Sequence, residues 1–306
     1  MLGKGTRLTA DHLPLLESLG LSTVIVAALS EDDLTENEAA GRIGQALIGH
    51  GIVVTTPGVG RANLTATLKG PLRVNVDLLH KLNNVAPGIT IATLREHTLV
   101  QDGDLVGLVK IIPFGIDRRY VNAAEVIAGT ASPVLSVRPL QSRHCTLIIS
   151  GPESAKDDLT AAFLSPIRAR LEGLESVLEQ VEYVAHTPEA VSAAIARHNN
   201  VDLILIASIS AIMDEDDVIP TALAQAEGEL TQFGAPVDPG SLMMLGYVGD
   251  TPVLGMPGCV RSLKTNIVDM VLPRLIAGER LSRMDIIAMG HGGLLPDISE
   301  RPSPRQ

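Results

Sequence analysis

The chain has 306 residues, 45% of them hydrophobic but only 2% aromatic and none tryptophan. That length exceeds one ordinary core and predicts roughly two or three domains, with interiors built from Leu, Ile, Val and Ala. A net charge of −11 excludes a nucleic-acid backbone as the main partner.

The N-terminus, MLGKGTRLTADHL, holds no apolar signal core, and no run approaches the roughly 20 residues of a membrane helix. Cys145 and Cys259 are the only cysteines and form no CxxC, which removes a disulfide framework and a thiolate zinc site. The expected setting is the cytoplasm, with no membrane partner.

In chain order, LTADHLPLLESLG predicts a helix capped by Thr9 and stopped by Gly20. STVIVAAL reads as a strand, and TENEAAGRIGQALIGHG (Thr35–Gly51) as a second helix. From Ile52 to about Pro113 come short β-like runs, separated by turns at Pro57-Gly58, Pro87-Gly88 and Asp102-Gly103. RRYVNAAEVIAG reads as a connecting helix and Ser132–Arg143 as a linker.

From His144 strand and helix alternate: HCTLIISG, a helical stretch from about Asp157 to Leu178, VEYVAH, TPEAVSAAIARH, then VDLILIAS. Thr187 and Pro188 suit the cap and first turn of the second helix. Alternation of this kind predicts an α/β fold, a parallel-rich sheet covered by helices on both faces. The expected organisation is a helix/strand segment over 1–51, a β-rich region over 52–131, an α/β domain over 144–290, and a linker-like or disordered tail over 299–306.

Two loops leave strand ends in the α/β region, where open sheets of this kind place ligands. The first, after Val201–Ser208, carries Asp214, Glu215, Asp216 and Asp217 ahead of a helical VIPTALAQAEGEL. Such carboxylates could hold a hard cation, or simply favour a helix start through its dipole. The second is GMPGCVRS. Gly255 and Gly258 allow close backbone approach, a helix expected from near Val260 to Gly278 would aim N–H groups at an anion, and Arg261 and Ser262 could bond a phosphate. The alternative is a plain strand–helix turn. Asp238-Pro239-Gly240 reads as a turn, Cys145 as core, Cys259 as a passive thiol that a helix start would acidify, and His291 as part of a glycine turn.

Three blocks carry a resemblance to a known family: ASISAIMDEDDVIPTAL, VDPGSLMMLGYVGDTPVLGMPGCVRS and the leading LGKGTRLTADHLPLLESLG. Together they resemble the molybdenum-cofactor biosynthesis proteins, specifically the domain that binds molybdopterin. VDPGSLMMLG and GMPGCVRS are nearest to a molybdopterin-binding region often fused ahead of a molybdenum-cofactor nucleotidyltransferase. The final DIIAMGHGGLLPDISERPSPRQ looks like the join to such a domain. The resemblance implies a three-layer molybdopterin-binding domain and a small anionic pterin as ligand. It implies a nucleotidyltransferase as partner and, from the family alone, a homodimer.

The departures bear on activity. The molybdotransferases end the strand after the central helix in Gly-Gly, where this chain has Ser208 and Ile209, with Asp216 at the following acidic position. Their D-D-P becomes His186-Thr187-Pro188, their K-P-G-K-P lysines are absent from Val237–Ser241, and G-D-E survives only as Gly151-Pro152-Glu153. Carboxylate in place of lysine opposes anion binding where the group is desolvated.

The resulting ligand-binding set is Glu153, Ser208, Ser210, Pro239, Gly240, Gly255, Pro257, Gly258, Arg261 and Ser262. Asp216 is the candidate catalytic residue, and Asp216 with Asp214 the candidate Mg²⁺ ligands. The expected function is binding of molybdopterin or its molybdenum form. The alternatives are an active molybdotransferase, inserting molybdate into adenylylated molybdopterin with Mg²⁺, and a ligand-free regulatory or interaction domain.

Overall fold

The computed structural model describes residues 6–130, 133–198, 200–238 and 240–294. The expected tail over 299–306 and the Lys4-Gly5 of the opening block lie outside them, as does Pro239 of the candidate site. The chain divides into two compact units between Pro139 and Leu140. Among the described residues no helix is long and apolar enough to cross a membrane.

In the first unit a 3-10 turn, Ala10–His12, leads into α1 (Leu13–Ser18), which stops at Gly20 with φ +72°. The strand expected from STVIVAAL does not form: these residues join no sheet, and Ile25 is wholly exposed. Apolar composition makes no strand without a ladder for the backbone and a face to bury. β1 (Asp33–Thr35) precedes α2 (Glu36–Leu47), whose cap Thr35 accepts from the Glu38 N–H.

β2 (Ile52–Gly58), β3 (Arg61–Ala66) and β4 (Gly70–Val74) follow. Then α3 (Val76–Asn83) interrupts the β-like texture where the sequence reading has no helix, capped by Asn75 accepting from Leu78 N–H. β5 (Ile89–Thr93), β6 (Leu99–Val100), β7 (Leu105–Ile111) and β8 (Gly115–Asp117) complete the run before α4 (Arg118–Ala128). The expected linker contains a further strand, β9 (Leu135–Val137), paired with β4.

The main sheet of this unit is antiparallel, in the order β2-β3-β7-β5. The inward face of α2, with Ala40, Ile43 and Leu47, enters the same core as Leu64 and Val109 of the strands. Gly44 matters there because a Cβ would stand 3.0 Å from Ala62 and 3.1 Å from Val54.

The second unit is the α/β body. β10 (His144–Ser150), α5 (Lys156–Gly173), β11 (Val177–Val184), α6 (Pro188–Arg197) and β12 (Leu203–Ser208) alternate as expected. α7 (Val218–Gln225), β13 (Glu229–Ala235), β14 (Ser241–Val248), β15 (Thr251–Gly255), α8 (Ile267–Ile276) and α9 (Arg283–Ala288) follow. One sheet runs β11-β10-β12-β15-β14-β13, parallel through its first four strands and antiparallel across the last two pairs.

Alternate residues of the buried strands feed opposite faces. Leu147, Leu205 and Leu254 pack with Phe163, Ile167 and Val271 of α5 and α8. Ile148, Ile204 and Val253 pack with Val191, Ile195, Ile219 and Leu223 of α6 and α7. These are the three layers the alternation predicts.

Several boundaries differ from the sequence reading, among them the second helix, which ends at Leu47 rather than Gly51 because Ile48 is already extended. The long helix ends at Gly173 rather than Leu178: Glu175 turns the chain at φ 59°, and Val177 and Leu178 begin β11. β11 is an edge strand with no buried residue, so Glu179 and Gln180 hide its strand character. The stretch read as helical through Leu230 ends at Gln225. A Cβ at Gly228 would lie 2.3 Å from Leu223, and the chain reverses there into β13. Finally, no α-helix starts near Val260. Gly258–Arg261 is one 3-10 turn, and α8 starts at Ile267 behind its own capping box of Asn266 and Asp269.

Candidate functional site

β10 passes through α5 to β11 on one side, then through α6 to β12 on its other side, so the strand order reverses at β10. The carboxyl ends of β10 and β12 flank this switch point, the place where doubly wound sheets leave a crevice. Each contributes a buried serine as its last residue, Ser150 and Ser208. Between them stands His186, held by the turn from β11 into α6.

The His186 ring bridges the two strand ends. Nδ1 lies 3.0 Å from Ser150 Oγ and Nε2 lies 2.8 Å from Ser210 Oγ. Ser208 fixes the second serine, its hydroxyl donating to the Ser210 carbonyl at 2.6 Å. Partial burial pushes the imidazole below its ordinary value, while the charge of Asp217 pulls the other way. Ser208 and Ser210 are in the sequence-derived set; Ser150 and His186 are not. The missed signal is positional: Ser150 closes an apolar strand run, and His186 immediately precedes a Thr-Pro helix cap.

The acidic turn is mostly occupied with building itself. Asp217 Oδ2 accepts from the Met213 and Asp214 N–H groups at 2.6 and 3.0 Å, and Asp214 Oδ1 accepts from Asp216 N–H at 3.0 Å. These are local Asx-type bonds that start α7. Among the described residues no group of three or more His, Cys, Asp or Glu is placed to hold a metal. Asp214 Oδ1 is taken by that backbone bond, while Asp216 is exposed and contributes its N–H rather than its carboxylate.

The glycine loop adjoins this turn because β15 pairs with β12. Gly255 is buried, and a Cβ there would stand 2.6 Å from Ile212 and 3.1 Å from Met244. Its missing side chain lets the loop after β12 pack down on β15, a structural reason for the glycine. Pro257 is buried too, whereas Gly258 is exposed and a Cβ on it would meet nothing within 4 Å. Arg261 is exposed, with its guanidinium 4.6 Å from the Phe163 ring centroid, a cation–π contact.

Ser262 is exposed but helps shape the loop. Its hydroxyl accepts from Lys264 N–H at 3.2 Å and its carbonyl accepts from Arg170 Nη2 at 2.8 Å. Arg170, which the sequence reading passes over, is the organiser of this loop. Its buried guanidinium also donates to the Val260 and Lys264 carbonyls and pairs with Asp269 at 2.9 Å.

The remaining positions take their places at the same end of the sheet. Gly240, at φ +79° with open space where a Cβ would go, turns the chain into β14, whose start lies opposite the end of β15. The charge of Asp238 is felt at Cys259. Glu153 is exposed and pairs with Lys156, three residues on, at 3.4 Å. Partial burial pushes the Cys259 thiol up, the reverse of the acidification a helix start would give. Cys145 is core, its thiol pushed up to about 12 by burial. His291 lies in an exposed turn.

Charge is therefore uneven along this edge, with carboxylates beyond β12, and Arg261 and Lys264 beyond β15. Two cavities lie elsewhere: about 580 Å³ in the first unit beside Arg73, Asp77 and Arg138, and about 350 Å³ on α5 beside Arg168 and Glu172.

No protein-family model matches the chain, and no curated protein matches it. Solved structures do. The molybdopterin biosynthesis enzyme MoaB from Thermus thermophilus shares 16% identity over 45% of this chain and 98% of its own, with a TM-score of 0.35. The protein CinA from Thermoplasma acidophilum shares 12% over 44% of this chain and 98% of its own, at 0.36. The molybdopterin biosynthesis moeA protein from Pyrococcus horikoshii shares 10% over 84% of this chain and 74% of its own, at 0.27. Likenesses at this level do not carry a function from one chain to another.

Proposed function

We propose that the second unit binds a small anionic pterin, molybdopterin or its molybdenum form, and serves molybdenum-cofactor biosynthesis by holding it for a partner nucleotidyltransferase. The observation that carries this reading is the Gly258–Ser262 loop. It lies at the carboxyl edge of the sheet, is braced from below by Arg170, and offers open space at Gly258 beside the exposed Arg261. These are also the residues on which the family resemblance rests most closely. The cation belongs to the side chain rather than to a helix start, since a single 3-10 turn gives little macrodipole.

The same geometry favours holding over molybdate insertion. Ile209 and Asp238 stand where the active family has glycine and lysine, and Asp214 and Asp217 of the acidic turn spend carboxylate oxygens on its own backbone. Arg261→Ala should weaken pterin binding by about 1.5–3 kcal/mol, the worth of a hydrogen bond to a charged group, while leaving the melting temperature nearly unchanged. Calorimetric titration of both proteins with molybdopterin measures this. Equal affinities would remove Arg261 from the site and the proposed anion recognition with it.

A further inference from the structure

The hydrogen-bonded chain Ser150–His186–Ser210 includes one residue of the sequence-derived ligand set, Ser210, in an arrangement that binding alone does not require. An exposed hydroxyl, Ser210 Oγ, sits 2.8 Å from a ring nitrogen whose partner nitrogen is held 3.0 Å from a buried hydroxyl. A nucleophile within reach of a base, with the base itself oriented by a third group, is the arrangement that makes a serine reactive. We propose that Ser210 and His186 form a nucleophile–base pair acting on uncharged carboxylic esters, with Ser150 as the residue that positions the imidazole.

Several observations agree on this assignment. Ser150 is fully buried at the end of β10 and presents one hydroxyl to Nδ1. With Nδ1–H donating to Ser150, Nε2 is left to accept from Ser210 O–H. Burial holds the ring toward the neutral form that a base requires, and Asp217, at the cap of α7, is the charged group whose field reaches it. The Ser208 hydroxyl anchors the Ser210 carbonyl and so fixes the nucleophile's backbone. The next two N–H groups, of Ala211 and Ile212, donate to no atom among the described residues. They are the local donors available to an oxyanion.

The substrate class follows from the surroundings. Ile209 and Met213, on either side of the nucleophile in sequence, are 43% and 66% exposed. The carboxylates of Asp214, Glu215 and Asp216 are exposed on the same loop. Apolar groups and negative charge together favour an uncharged, apolar acyl group over a phosphate ester.

In the proposed step, Ser210 Oγ bonds to the ester carbonyl carbon and its proton passes to His186 Nε2. The carbon–oxygen bond to the alcohol then breaks, and the alcohol leaves with that proton. Water, giving its proton to His186, releases the acid from the acyl-serine, and the proton returns to Ser210 Oγ. The pair operates at the β10–β12 end of the edge, apart in sequence from Gly258 and Arg261, and its chemistry needs no pterin.

The test treats the full chain with a fluorophosphonate probe and maps the adduct by peptide mass spectrometry, alongside hydrolysis of 4-nitrophenyl butyrate. The expected result is one adduct, on the peptide bearing Ser210. Labelling should slow at least about 100-fold in His186→Ala, the usual worth of a positioned base, and be unaffected by Ser165→Ala on the exposed side of α5. Ser150→Ala should shift the pH midpoint of labelling, which a purely structural serine would not do. Absence of an adduct in the wild-type chain, or an adduct on another residue, overturns the proposal without bearing on pterin binding. So does a labelling rate in His186→Ala, and in the second variant His186→Gln, equal to that of the wild type.

Discussion

Arg274→Ala is expected to cost the fold about 3–5 kcal/mol, the penalty for removing one partner of a buried ion pair. The Arg274 side chain is only 4% exposed within α8, with Nε 2.8 Å from Glu279 and Nη2 2.6 Å from Asp285. Those bonds tie α8 to the cap of α9, where Asp285 also accepts from Ser282. Without the guanidinium, two carboxylates stay in place with less compensation. Replacing Arg274 and Glu279 together by Met and Leu should recover much of the loss, because an apolar pair carries no desolvation cost.

Acid should reproduce part of the effect. Partial burial raises the Asp285 carboxyl, but the Ser282 hydroxyl and N–H and the Arg274 guanidinium outweigh it and hold it at about 2. A carboxyl depressed in the folded state contributes stability above its unfolded value, near 4, and loses it as pH falls toward 2. Urea midpoints across that range check the sign: in the wild type this contribution fades, whereas Asp285→Asn shows a shallower dependence.

Arg170→Ala should cost a similar amount, about 3–5 kcal/mol, and should loosen the loop that carries Arg261. The Arg170 fork joins Asp269 to the carbonyls of Val260, Ser262 and Lys264. It spans the 3-10 turn and the start of α8 at once. Arg170→Lys should rescue little, since an ammonium cannot present the planar fork to several acceptors together. Hydrogen exchange over residues 258–266 distinguishes the two consequences. Faster exchange there, beyond that of an Arg274→Ala protein of equal stability, identifies Arg170 as the loop's brace. Equal exchange in the two proteins would make it only a contributor to global stability.

Much of the second unit can be read from sequence because its strands are buried on both faces. LILIA and the LII of HCTLIIS are apolar runs, and Thr187-Pro188 marks a helix start. The start of β11 escapes, read as the end of the long helix, because an edge strand need not be apolar; its VEYV half is read as a strand. α3 and β9 escape because short elements inside a turn-rich stretch take their stability from the surrounding core rather than from a local pattern. STVIVAAL shows the converse, strand composition with nothing to pair against.

At the site, the loops at the strand ends can be placed from sequence, but their chemistry depends on contacts across the sheet. Gly255 is a glycine because Ile212 occupies the space, and the Asp214–Asp217 run is a turn that bonds to itself. His186 and Ser150 are 36 residues apart and meet only because β10 and β11 are neighbours.

Gly258 offers the most direct test of pterin binding. A Cβ at this exposed position meets nothing within 4 Å, so a side chain there starts into open space, and Gly258→Phe is expected to crowd the proposed ligand more than the fold. Calorimetric titration of the full chain with molybdopterin is expected to show saturable binding in the wild type. In Gly258→Phe that binding should be lost, with an unchanged melting temperature. Absence of binding to the wild-type chain, or equally tight binding to Gly258→Phe, would contradict the assignment of a pterin to this edge of the sheet.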